Sequence, residues 1–119
     1  MLNFTTLTEN CGGDPGLVVE LAEVFLQEYP GYVTALDTAM ATRSSDGIRS
    51  IAHRLRGALS IFDAQTAIAA ATRVESLGLK NDLSLAAEAV LALKAELFLV
   101  ECDIKQLVQD EHSGSEVRP

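Results

Sequence analysis

The chain has 119 residues, 48% apolar and 22% charged, and a formal net charge of −8 from 9 Lys and Arg against 17 Asp and Glu. That length makes one domain with a modest core. Its acidity excludes nucleic acid and anionic membrane surfaces as partners, because either would need a basic footprint. Cys11 and Cys102 are too few for a disulfide framework, and their spacing resembles no zinc site, so they read as reduced thiols of a cytoplasmic protein.

Residues 1–13 carry no basic n-region and no long apolar run, so they do not read as a signal peptide. They read as an N-terminal extension ending in a Cys-Gly-Gly turn. Charged residues interrupt every apolar stretch before the roughly 18 residues that a membrane span needs. Spacing of 3.6 residues recurs along the chain, while sustained alternation is missing, so the chain reads as all-α.

Asp14-Pro15 gives an N-cap acid followed by proline at the first helical position. Leu17, Leu21, Val24 and Phe25 form the expected apolar stripe of that helix. Pro30 is expected to close it near Glu28 or Tyr29 and to open a second helix, with Val33, Leu36 and Met40, ending near Arg43. Ser44-Ser45-Asp46-Gly47 is a turn with capping chemistry. The next helix, 46–62, directs Ile48, Ile51, Ala52, Leu55, Leu59 and Phe62 inward.

Asp63 could stop that helix or cap the following one. The alanine-rich helix 64–78 turns Ala67, Ile68, Ala71, Val74 and Leu77 inward, with Gly78 as its stop. The last helix, 83–109, carries Leu83, Ala86, Val90, Leu93, Leu97, Val100, Ile104 and Leu107 in alternating steps of three and four, a bundle seam. Short connections imply antiparallel neighbours. The expected fold is an up-down four-helix bundle over 14–109, with an additional short N-terminal helix split off at Pro30. A polar, disordered tail over 110–119 would carry His112, to which no role is given.

The stretch around His53 stands out. With Ile48 at zero on a helical wheel, the core residues of the 46–62 helix fall within about 60°, while His53 lies near 140°. Gly57, Ser60, Arg49 and Arg56 lie at about 180°, 120°, 100° and 80° by the same rule. His53 therefore faces solvent. Arg43, Arg49, Arg54 and Arg56 place four of the nine basic residues within 43–56 against one acid, Asp46, a local positive patch in an acidic chain. An exposed imidazole, largely neutral at cytoplasmic pH, keeps a nucleophilic ring nitrogen. An arginine one turn away can hold phosphate oxygens. Glycine one turn on leaves room for a partner in line with the ring, and this gives its helix cost of about 1 kcal/mol a reason. Phosphoryl transfer needs such positioning and charge stabilisation.

The run His53-Arg54-Leu55-Arg56-Gly57-Ala58, preceded by Ala52 and followed by Phe62, Ala64, Glu75 and Gly78, resembles the histidine-containing phosphotransfer (HPt) domain of multistep phosphorelays. The resemblance spans roughly residues 14 to 108. It implies a four-helix bundle whose His53 exchanges a phosphoryl group with receiver-domain aspartates. Arg56 stands in place of the usual lysine and steadies the phosphoryl oxygens, and Gly57 provides clearance. Gln65 takes the place of a polar residue near the histidine, and Arg49, Arg54, Ser60 and Ile61 are docking candidates. Asp63 replaces the usual glycine before Ala64. The implied partners are receiver domains of response regulators or hybrid sensor kinases. The domain is expected to work as a cytoplasmic monomer, with no cofactor or metal of its own, since the magnesium belongs to the receiver.

A bundle that binds a receiver or kinase without transferring phosphate is the alternative, and Ile61 would suit docking in either case. A metal-binding bundle enzyme needs Glu-x-x-His pairs, and Ser50 stands three residues before His53. No ATP site for a kinase is visible, so a carrier without autonomous kinase activity is expected.

Overall fold

The computed structural model describes residues 2–117, with side chains as far as Glu111, and those residues form five helices and no strand. They are α1 (Phe4–Asn10), α2 (Pro15–Ala41), α3 (Ser45–Ser60), α4 (Gln65–Leu79) and α5 (Leu83–Val117). Helices α2 to α5 run up and down around one core, with α3 on α4, α4 on α5, α5 on α2 and α2 on α3. The expected four-helix bundle is present.

Starts are set by side chains that take up the first free N–H groups. Asn3, Asp14, Ser44 and Asp82 accept from the backbone of Thr6, Leu17, Gly47 and Leu85, at 3.0, 3.2, 3.0 and 3.2 Å. Each such cap stabilises by about 1 kcal/mol. Connections turn on residues with left-handed backbone: Arg43 (φ 53°), Asp63 (φ 52°) and Asn81 (φ 58°). At Asp63 the first of the two expected options holds, since the N-cap of α4 is Ala64, which makes no side-chain cap.

The buried faces of α3 and α5 match their periodicity. Ile48, Ala52, Leu55, Leu59 and Phe62 are buried, with Ile51 half-buried, and every expected α5 position is buried except half-buried Leu83. In α4, Ala67, Ala71 and Val74 are buried and Ile68 and Leu77 half-buried.

Several expectations are corrected. Helix α2 does not split at Pro30; it is one helix of 27 residues with the proline inside. Pro30 is exposed, so its ring lies toward solvent. Phe25, Leu36 and Ala39 on either side are buried in one core, and Tyr29, Tyr32 and Val33 pack against it. That burial outweighs the cost of about 3 kcal/mol for an internal proline. The additional short helix lies elsewhere, at α1, whose Leu7 is 1% exposed within the shared core.

The inward stripe of α2 is also rotated from the expected one. Val18, Ala22 and Phe25 are buried, whereas Leu17 and Val24 are exposed and Leu21 is half-buried. Val18 and Ala22 are fully packed in the core although Leu17 and Val24 are at least as large, an order that hydrophobicity alone does not register. Gly78 does not stop α4, which runs on to Leu79 and turns at Asn81. The backbone of α5 is helical past 109, as far as Val117. The side chain of His112 lies outside the described residues.

Burial, with Glu101 and Cys102 nearby on α5, raises the Tyr29 phenol above its ordinary value, partly offset by Lys94. Lys94 Nζ also donates to Asp37 Oδ1 at 2.8 Å, joining α5 to α2 on the surface.

Candidate functional site

His53 projects from the middle of α3 with 61% of its side chain exposed, as the wheel predicts. Its Nδ1 lies 2.7 Å from Glu75 Oε2 on α4. An ionised carboxylate only accepts, so the bond requires the proton to sit on Nδ1. Arg56, one turn along α3, places Nη1 3.3 Å from Glu75 Oε1. Its Nη2 also comes within 3.3 Å of His53 Nδ1. A nitrogen whose proton points at Glu75 has no lone pair to offer there, so Arg56 is held by the carboxylate and only approaches the ring. In the neutral ring this leaves the lone pair on Nε2, which has no partner among the described residues.

Glu75 is the residue that sequence reasoning left without a role. It is 19% exposed, its two oxygens divided between an imidazole and a guanidinium. Its position was visible as a flank of the α4 seam, four residues after Ala71 and one after Val74. Which α3 residue it meets depends on how α4 is registered on α3, and Gly78 sets that close approach. A Cβ on Gly78 would come within 3.0 Å of Arg49 N and Ser45 O.

Gly57 presents the opposite environment. A Cβ placed there would meet no atom within 4 Å, and its backbone is not left-handed. The fold itself does not need glycine at this position.

Other candidates spread around the histidine. Arg54 turns to α2, its guanidinium carbon 5.7 Å from the Tyr32 ring centre, a cation–π distance. Arg49 is half-buried beside Gly78. Ser60 Oγ donates to the Arg56 carbonyl at 2.8 Å. Ile61 is 39% exposed and lines a groove with Cys11, Leu17 and Leu21. Gln65 is not beside His53: it bonds to Asp63 at the start of α4. Ten residues separate it from Glu75, about 15 Å of helix. The positive patch is also weaker than the sequence implies, because Glu75 pairs with Arg56, one of its four arginines.

The Hpt domain family model matches residues 20–109 of the chain. The chain belongs to the Hpt domain family. The fold agrees with the crystal structure of the HPT domain from a Shewanella Hpt sensor hybrid histidine kinase, at a TM-score of 0.82 over 92% of this chain and 94% of that one. Their sequences are 23% identical, so this likeness speaks for the fold. No curated protein matches the chain. Hpt domains are phosphotransfer carriers rather than autonomous kinases and interact with receiver domains, so the general role of this chain is histidine phosphotransfer in a phosphorelay. Among the described residues, no helix of this Hpt domain is long and apolar enough to cross a membrane.

Proposed function

We propose that His53 carries the phosphoryl group between receiver-domain aspartates, in a cytoplasmic monomer without kinase activity of its own. The observation that carries this reading is the division of the imidazole. Nδ1 is held by Glu75 at 2.7 Å, while Nε2 is left with its lone pair on an exposed face.

In the transfer, the Nε2 lone pair forms a bond to phosphorus as the P–O bond of the receiver's aspartyl phosphate breaks. The aspartate leaves as a carboxylate, beside the magnesium that the receiver supplies. The His53 proton stays on Nδ1, so no base has to remove it. Transfer onward is the same path reversed. Arg56 offers its donors to the phosphoryl oxygens, and Gly57 leaves the approach to Nε2 open. Exposed Leu17, Val24 and Ile61 offer the receiver an apolar footing on α2 and at the end of α3, with Arg49, Arg54, Ser60 and Gln65 as further docking residues.

The test is incubation with phosphorylated receiver domains. The expected product is an acid-labile, alkali-stable phosphate on this chain, lost in His53→Gln. Labelling that persists in His53→Gln would move the site elsewhere. Receiver binding with no labelling, unaffected by His53→Ala, would make the chain an adaptor instead.

A further inference from the structure

The Arg56 guanidinium that would steady a phosphoryl group already has one nitrogen against a carboxylate. Its Nη1 lies 3.3 Å from Glu75 Oε1, while the other Glu75 oxygen holds His53 Nδ1 at 2.7 Å. One carboxylate thus holds both the nucleophile's ring and the cation meant for its cargo.

We propose that Glu75 is a positioning residue that keeps phosphohistidine short-lived, by competing with the phosphoryl group for Arg56 while holding the proton on Nδ1. The proposal rests on His53 being the phosphoryl carrier. With phosphate absent, His53, Arg56 and Glu75 sum to zero charge with a neutral ring. A dianionic phosphoryl group on Nε2, with the proton kept on Nδ1, makes the cluster negative by one. Arg56 cannot serve both anions fully, and Glu75 repels the new one. The retained proton also keeps the ring ready to depart as neutral imidazole rather than imidazolate. Each effect favours release, which a relay intermediate needs.

Glutamine at position 75 separates these roles. Its amide oxygen can still accept from Nδ1–H, but it carries no charge to hold Arg56. The experiment uses the full chain and phosphoramidate as a small donor: Nε2 bonds to phosphorus, the donor's P–N bond breaks, and ammonia leaves. Phosphorus NMR follows formation and decay, and nitrogen NMR reads the His53 tautomer. Phosphohistidine in Glu75→Gln should outlast that of the native chain about threefold to tenfold, with Nδ1 still protonated. In an Arg56→Ala background the gain should fall to less than half, because no arginine remains to be released. An unchanged lifetime in Glu75→Gln, or a full gain without Arg56, overturns the proposal while leaving the carrier reading intact. A native chain that takes no phosphate on His53 overturns both.

Discussion

Gly57 and Gly78 lie on the two helices that build the site, and each costs about 1 kcal/mol relative to alanine in a helix interior. They are there for opposite reasons. At Gly78 the backbone of α3 comes so close that a Cβ would sit 3.0 Å from two of its atoms. At Gly57 a Cβ would find open space. One glycine lets two helices meet, and that meeting brings Glu75 to His53. The other leaves a gap that no described residue fills, one helical turn from His53. A glycine's presence therefore says little until its surroundings are known.

The contrast can be broken most severely at position 78. Gly78→Ala should push α4 from α3 and destabilise the domain by about 2 kcal/mol, even after its gain in helix propensity. Urea unfolding checks this, and an undiminished midpoint would mean that the two helices can separate freely. The same variant should lengthen the contact between His53 and Glu75, seen by NMR as mixed tautomers at His53.

Gly57→Ala should act in the other direction on stability, raising it by about 0.5–1 kcal/mol. Its effect on function should depend on the size of the donor. Transfer from a receiver domain should drop about tenfold or more, a loss of at least about 1.4 kcal/mol of transition-state stabilisation. Phosphorylation by phosphoramidate should stay within about twofold, since a small donor needs no clearance. Equal losses with both donors would place the defect in the ring and not in the approach.

A third position gives the smallest effect. Asp63 adopts a left-handed φ of 52° where the family resemblance leads one to expect glycine. Aspartate tolerates that backbone better than most residues, and here its side chain also accepts from Gln65. Asp63→Gly should therefore change the unfolding free energy by no more than about 0.5 kcal/mol, with the relief of strain offset by the lost bond and the freer unfolded chain. A large change of either sign would show that the turn is held in a way these contacts do not describe.

Much of this is legible in the sequence. The wheel on α3 placed His53 outward because Ile48, Ala52, Leu55, Leu59 and Phe62 leave little doubt about the buried face. The α5 seam is equally plain. Helix α2 departs from its local pattern twice, at Pro30 and in its stripe, because local rules weigh a proline and a leucine without what lies opposite. Ala22 is buried and Leu17 exposed, the reverse of their rank in hydrophobicity. Helix α1 is short and gains its stability from Leu7 in the shared core rather than from its own propensity. At the site, the histidine and its neighbours one turn away were legible, being fixed by helical geometry alone. The bond from Glu75 was not, since it joins residues 22 apart through the registration of two helices.

Leu7 extends the core beyond the stretch that the family model covers. The family match begins at residue 20, already inside α2, yet the core includes Leu7 and Val18. A chain trimmed to 20–109 would keep His53, Arg56, Gly57 and Glu75 but lose the Asp14–Pro15 start of α2 and the plug that α1 sets into the core. The cooperative unit that melts as one is thus larger than the stretch that carries the chemistry. Amide hydrogens around Phe25 and Ile104 should exchange faster in the trimmed chain even where every residue of the relay site is present.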